Sequence, residues 1–146
     1  MKLEGVTVID LSLFLPGPAA TQMMADHGAR VIKVENPKSP EPTRSAEAFP
    51  WQQGGETVMF RNTQRGKESI ALDLKSEAGV EAVKKLAARA DVLLHNYRPG
   101  VMDRIGLGSD VLREINPKLI YIAVSGFGTK GPMADLPAFD HVIQGL

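Results

Sequence analysis

The residue types best suited to hold a ligand stand together in Asn96-Tyr97-Arg98-Pro99-Gly100-Val101, directly after the apolar run Asp91-Val92-Leu93-Leu94-His95. Asparagine offers both a donor and an acceptor, and arginine a planar fork that matches phosphate or carboxylate. Arg104 follows one helical turn further along, and Arg61, Arg65, Lys67 and Lys75 add positive charge around a second apolar run, Ser69 to Leu74. Lys+Arg and Asp+Glu number 17 each, so the chain is neutral overall. Basic groups gathered at one edge of a neutral protein suggest a phosphorylated ligand, against the alternative of a solvated basic rim.

Other patterns carry less chemistry. Gly126-Phe127-Gly128-Thr129-Lys130-Gly131 fits G-x-G-x-x-G. A dinucleotide fingerprint belongs to the first strand of its fold, opens a helix and is followed by an acid about 20 residues later. Here Pro132 follows and the segment lies after the last strand, so a tight strand-to-loop turn is the better reading. His27 falls at a helix end, where a cation suits the dipole. His95 ends a strand, and His141 neighbours Asp140, which points to a different helix face. Histidines so scattered imply no metal site. The chain has no cysteine, which excludes disulfides, thiolate catalysis and cysteine-bound zinc.

The elements that must position these groups are short. Val6–Asp10, Val31–Glu35, Ser69–Leu74, Asp91–His95 and Leu119–Val124 are β-branched or apolar runs bounded by turn residues, and read as buried strands. Between them lie helical patterns over Pro18–His27, Ser76–Ala90 and Ser109–Ile115. In the second, Ser76 can cap, and Val80, Val83, Leu86 and Ala87 share a face. Strands alternating with helices predict an α/β fold: a Rossmann-like, doubly wound, mostly parallel sheet. Residues 36–56, with four prolines, two glycines and no period, read as a long surface loop of the kind that is functional or mobile. The tail from Phe139 opens an apolar helix that stops after about two turns, too short to be stable alone. This suggests the front part of something longer.

At 146 residues, 43% hydrophobic and 23% charged, the chain has the composition of one ordinary globular domain. Zero net charge speaks against a nucleic-acid partner. No apolar run approaches the ~20 residues of a membrane span, and the start is too short and acidic for a signal peptide. A cytoplasmic location is the expectation.

The order of the segments resembles the family III CoA-transferases, the carnitine, formyl and oxalate CoA-transferases together with α-methylacyl-CoA racemase. The likeness runs through Gly5–Ser12, Gly17–Gln22, Gly28–Glu35, Arg65–Lys75, Asn96–Val101, Ile115–Tyr121 and Ser125–Gly128. It implies an incomplete large domain: residues 1–146 as an N-terminal, CoA-binding, Rossmann-like domain, in a family whose longer members form interlocked homodimers. CoA or acyl-CoA would be a substrate, together with a carboxylic acid, and no prosthetic group is implied. Leu72 and Lys75 would lie near the adenosine, and Asn96, Tyr97, Arg98 and Arg104 near the nucleotide and its phosphates. Asn36 stands where family members often carry arginine, so a phosphate contact is expected either to be weaker here or to be supplied by Lys33, Lys38 or Arg44. The apolar Leu13-Phe14-Leu15-Pro16 matches the active-site entrance and hints at an acyl group less polar than oxalate.

The resemblance also implies the chemistry. A carboxylate attacks the thioester to give an anhydride, the CoA thiolate returns to form an enzyme thioester, and the acceptor acid takes the CoA through a second anhydride. The family's aspartate nucleophile lies beyond Leu146, so no catalytic residue is assigned within this chain. Two alternatives stand beside the transferase: an acyl-CoA racemase and a non-catalytic CoA-binding fragment. A racemase places a histidine base before the aspartate matching Asp140, where this chain has Phe139. Residues 1–146 alone, incubated with acyl-CoA donors and carboxylate acceptors, should therefore show no exchange. Turnover would make Asp140 or another carboxylate of this chain the nucleophile.

Overall fold

The computed structural model describes residues 1–47 and 49–145. Along the chain run β1 (Thr7–Asp10), α1 (Pro16–Asp26), β2 (Arg30–Glu35), a 3-10 turn (Pro42–Arg44), the short strands β3 (Gln52–Gln53) and β4 (Glu56–Thr57), and α2 (Val58–Gln64). They are followed by β5 (Lys67–Ala71), α3 (Glu77–Ala87), β6 (Val92–His95), α4 (Val101–Arg104), α5 (Ser109–Ile115), β7 (Ile120–Ala123) and α6 (Asp140–Gln144). Five strands form one parallel sheet in the order β5-β2-β1-β6-β7. This is the α/β architecture expected from the alternation of apolar runs and helical patterns.

Both faces of the sheet are covered, which is why its central strands are nearly continuous in apolar residues. Ile9, Leu11, Ile32, Val34 and Leu93 face Val83 and Ala87 of α3 and Leu112 of α5. Val8, Val31 and Val92 face the other way, against Met24 and Ala25 of α1. Asn116 ties α5 back to α3, its amide donating to the Ala87 and Ala90 carbonyls at 2.9 and 2.8 Å. No helix among the described residues is long and apolar enough to cross a membrane.

Three expectations change. The third strand of the sheet starts two residues earlier than Ser69 and ends at Ala71, because register with β2 pairs Val31 with Lys67 and Glu35 with Ala71. Helix α2 had no signal in the sequence; Thr57 caps it, accepting from the Phe60 N–H at 3.0 Å. Segment 36–56 is not simply a surface loop, since it carries the 3-10 turn and most of the β3–β4 hairpin and buries Glu41 and Thr43. The G-x-G-x-x-G run behaves as a turn: Gly128 and Gly131 adopt φ of 78° and 106°, and no helix begins until Asp140. Leu146, the last residue of the apolar tail, lies outside the described residues.

Helix α3 carries a glycine where helix propensity alone would favour alanine. A Cβ on Gly79 would stand 2.1 Å from the carbonyl oxygen of Asp73, so the backbone of the β5–α3 connection passes where a side chain would be. Gly79→Ala is therefore expected to destabilise the protein by about 1–3 kcal/mol in urea unfolding. A variant at least as stable as wild type would show that propensity outweighs that approach.

Candidate functional site

In open α/β sheets the ligand crevice forms outside the carboxyl ends of the strands, where the strand order reverses. Here β1, β2 and β5 step in one direction, and β6 then lands on the other side of β1. The loops after β1 and after β6 flank this crevice. Asn96 joins them: its side-chain oxygen accepts from the Leu13 N–H and its amide donates to the Leu13 carbonyl, each at 2.8 Å.

The rest of the β1 loop is held the same way. The Ser12 N–H donates to Asp10 Oδ1 at 2.9 Å, the Ser12 carbonyl accepts from Lys33 Nζ, and the Phe14 N–H donates to Glu41 Oε1 at 2.9 Å. Phe14 itself has φ of 65°, a left-handed conformation that costs a non-glycine residue on the order of 1–3 kcal/mol. Phe14 and Leu15 remain 44% and 43% exposed. A dinucleotide-binding fold leaves the N–H groups of this loop open to receive a pyrophosphate. In this protein side chains of the protein take the N–H groups of Ser12, Leu13 and Phe14, so the loop offers an apolar surface.

Beneath it lies a buried set of charges. Asp10 Oδ2 accepts from Thr21 Oγ1 at 2.6 Å and from Lys67 Nζ at 2.9 Å, and Oδ1 accepts from Ser12 Oγ at 2.5 Å. Burial would raise the pKa of Asp10, but the charges of Lys33 and Lys67 and the two hydroxyl hydrogen bonds hold it below the usual carboxylate range. Lys33 Nζ pairs with Glu41 Oε2 at 3.1 Å, both side chains being almost wholly buried. Glu35 receives a two-pronged contact from Arg44 at 3.0 and 2.8 Å, the Glu41 N–H at 3.1 Å and Ser69 Oγ at 3.0 Å. Burial acts to raise its pKa; these donors and the Arg44 charge outweigh that and hold it at about 2. Arg44 also stacks over Phe60, 3.9 Å from the ring centroid.

These pairings alter the expected supply of phosphate ligands. Lys33 is enclosed with Glu41 and Arg44 is engaged by Glu35, so neither stands open to replace the arginine missing at Asn36, while Lys38 makes an exposed surface pair with Asp73 at 3.2 Å. Of the basic rim around β5, Lys67 is buried on Asp10 and Arg65 pairs with Asp26. From the sequence, neither Asp10 nor Glu41 stands out, and Lys67 reads only as one member of a basic rim. The available signal was Lys33 and Glu35 at alternate positions of an otherwise apolar strand, two charges turned toward one buried face.

The structure brings part of the expected set together. Tyr97 and Arg98 line a cavity of about 430 Å³ with His95, Asp103, Arg113 and Tyr121, between the loops that follow β6 and β7. His95 Nδ1 accepts from the Tyr97 N–H at 3.2 Å, which puts its proton on Nε2, and burial pushes the imidazole down to about 4 against a weaker upward pull from Asp103. Arg104 is exposed on α4. The side chains of Arg98 and Arg104 make no hydrogen bond or ion pair among the described residues. Leu72 and Lys75 follow β5, three strands away from β6, so they do not share this cavity. Leu72 and Tyr97 nonetheless pack on the same core cluster, on the face that carries α3. Asn96 has its side chain committed to Leu13.

The model of CoA-transferase family III matches residues 3–146. Acetyl-CoA:oxalate CoA-transferase of Acetobacter aceti is 43% identical over 143 residues, covering 98% of this chain and 36% of that protein. Succinate–glutarate CoA-transferase of Agrobacterium fabrum is 43% identical over 148 residues, covering 99% and 37%. The crystal structure of a CAIB/BAIF family protein from Brucella suis superposes with a TM-score of 0.90 at 40% identity, over 98% of this chain and 38% of that one. The chain thus spans about a third of the length of these relatives.

The Glu35–Arg44 contact gives an acid limit. A carboxyl with a folded pKa of about 2 against an ordinary 4.5 contributes stability that is fully present above about pH 4.5 and is lost as pH falls toward 2. Arg44→Gln should shift the acid-unfolding midpoint upward and remove roughly 2 kcal/mol at pH 6, allowing for the solvent exposure of Arg44. An unchanged acid midpoint by circular dichroism would show that Arg44 does not set the Glu35 pKa.

Proposed function

Because the chain belongs to CoA-transferase family III, we propose that it carries the CoA-binding part of an enzyme that moves CoA between an acyl-CoA thioester and a carboxylic acid. The observation that carries this reading is the pair Arg98 and Arg104, without internal partners beside the carboxyl-edge crevice. Other cations of the sheet and its loops are engaged: Arg30 by Glu68, Lys33 by Glu41, Lys38 by Asp73, Arg44 by Glu35, Arg65 by Asp26 and Lys67 by Asp10, while Arg113, which lines the cavity with Arg98, adds a further cation there. Since the β1 loop has no N–H free at Ser12, Leu13 or Phe14, side chains must meet the phosphates of a nucleotide here.

In this reading Arg98 and Arg104 hold the phosphates and Tyr97 packs beside the nucleotide. Leu72 and Lys75 reach its adenosine end across the strand termini, and Asn96 fixes the loop between them. Anchoring the nucleotide keeps CoA in place while its sulfur leaves one acyl group and takes another, so the exchange stays effectively intramolecular. Phe139 before Asp140 offers no proton-transfer group, which favours transfer over racemisation. The reading extends to a homodimer, supported by the apolar side chains of Ile120, Phe139, Val142 and Ile143 left open at the β7 edge and on α6. It extends also to a cytoplasmic setting, where dissolved acyl-CoA is available.

Calorimetric titration with CoA tests the site. Arg98→Ala and Arg104→Ala should each weaken binding by about 1.5–3 kcal/mol, the worth of a hydrogen bond to a charged group, and both losses should shrink as salt rises. If Arg98→Ala lowers thermal stability slightly and leaves affinity alone, the loop after β6 covers a sheet edge and is no part of the site.

A further inference from the structure

Segment 36–56 returns to the protein interior at Glu41, and what it meets there is the β1 loop. Glu41 Oε1 accepts the Phe14 N–H at 2.9 Å, and Oε2 holds Lys33 Nζ at 3.1 Å; Lys33 in turn donates to the Ser12 carbonyl. The ion pair therefore grips the backbone on both sides of Leu13, and Thr43 steadies the carboxylate through its N–H and hydroxyl at 3.3 and 3.1 Å. The gripped residue is Phe14 at φ of 65°, in the loop that flanks the crevice, with Phe14 and Leu15 both partly exposed. Left to itself, a backbone with two large apolar side chains relaxes toward the extended region and turns them against the sheet edge. Left-handed strain over-determined by its surroundings and placed at a crevice points to use.

We propose that Glu41, acting with Lys33, is a positioning residue: it holds Leu13-Phe14-Leu15 as an apolar wall against which the acyl end of a CoA thioester is placed. This rests on the reading of Arg98 and Arg104 as the nucleotide anchor, and it separates two duties on one edge. The arginines read the nucleotide, and the ion pair under the β1 loop shapes the region that meets the acyl chain. Specificity for the acyl group would then be set from beneath the loop, by residues that never touch substrate.

The test uses this chain, two ligands and two variants. Lys33→Met/Glu41→Leu replaces the buried pair by apolar groups of similar size, a change that stability alone tolerates, but it leaves the Ser12 carbonyl and the Phe14 N–H unheld. Glu41→Gln keeps an acceptor for Phe14 and removes the charge partner of Lys33. Wild type should bind hexanoyl-CoA at least fivefold more tightly than CoA. The double variant should unfold at a urea concentration close to wild type and exchange its Phe14 amide at least tenfold faster while Val8 and Ile9 keep their rates. It should also lose the preference for hexanoyl-CoA while its affinity for CoA stays within twofold. Glu41→Gln should fall between the two, and it carries the test if the double variant does not fold. Slow Phe14 exchange or an intact acyl preference in the variants overturns the positioning role. Wild type that binds CoA without preferring hexanoyl-CoA overturns the acyl wall alone. Wild type that binds neither ligand overturns the nucleotide reading, and the acyl wall with it.

Discussion

Asp10 and Lys33 are register partners at the carboxyl ends of two neighbouring strands, and the ligand-facing edge of the protein is organised around them. Both side chains turn to the α1 side of the sheet, where apolar residues would ordinarily close the layer. Each buried charge is answered: Asp10 by Lys67, Ser12 and Thr21, Lys33 by Glu41 and the Ser12 carbonyl. Every buried side-chain nitrogen and oxygen among the described residues has a partner. Such a set adds little net stability compared with apolar packing, but removing one member leaves an uncompensated charge in a low-dielectric interior. Its effect is to fix one arrangement of the loops above it.

From that constraint follows how an anion can be received. A parallel sheet of this topology commonly offers phosphates the open N–H groups of its first strand-to-helix loop. Here those N–H groups are taken by Asp10, Asn96 and Glu41, and the loop leaves Phe14 and Leu15 partly exposed instead. In the proposed site, recognition of a charged group moves to side chains, Arg98 and Arg104 among them. On that proposal the same topology serves a different division of labour, with an apolar first loop and a basic fourth one.

Segment 36–56 gains its meaning from the same charges. Its prolines and glycines give it no periodic pattern, yet Glu41 and Thr43 are buried, as is Thr57 just after it. The Thr57 hydroxyl donates to the Thr43 carbonyl while capping α2, and Arg44 closes over Phe60. A stretch with only a 3-10 turn and a short hairpin is ordered here by polar side chains inserted beneath the sheet edge, and α2 is seated through it.

The sequence by itself determined the α/β class, all five strands of the sheet, helices α1, α3 and α5, and the turn character of Gly126–Gly131. Each of these depends on local patterns: short apolar runs, i, i+3, i+7 spacing, a capping serine, a proline after a glycine cluster. The ordered family segments were legible for the same reason, as fixed residue strings. What the tertiary structure alone decided was which polar residues are available. Lys33, Arg44, Lys38 and Lys67 look alike in sequence to Arg98 and Arg104, and only the fold shows the first four engaged. Their partners stand at no fixed spacing along the chain, 57 residues away in the case of Lys67 and Asp10 and 8 in that of Lys33 and Glu41. An ion pair is set by distance in space and by burial, and neither can be read from the spacing of charges in a sequence.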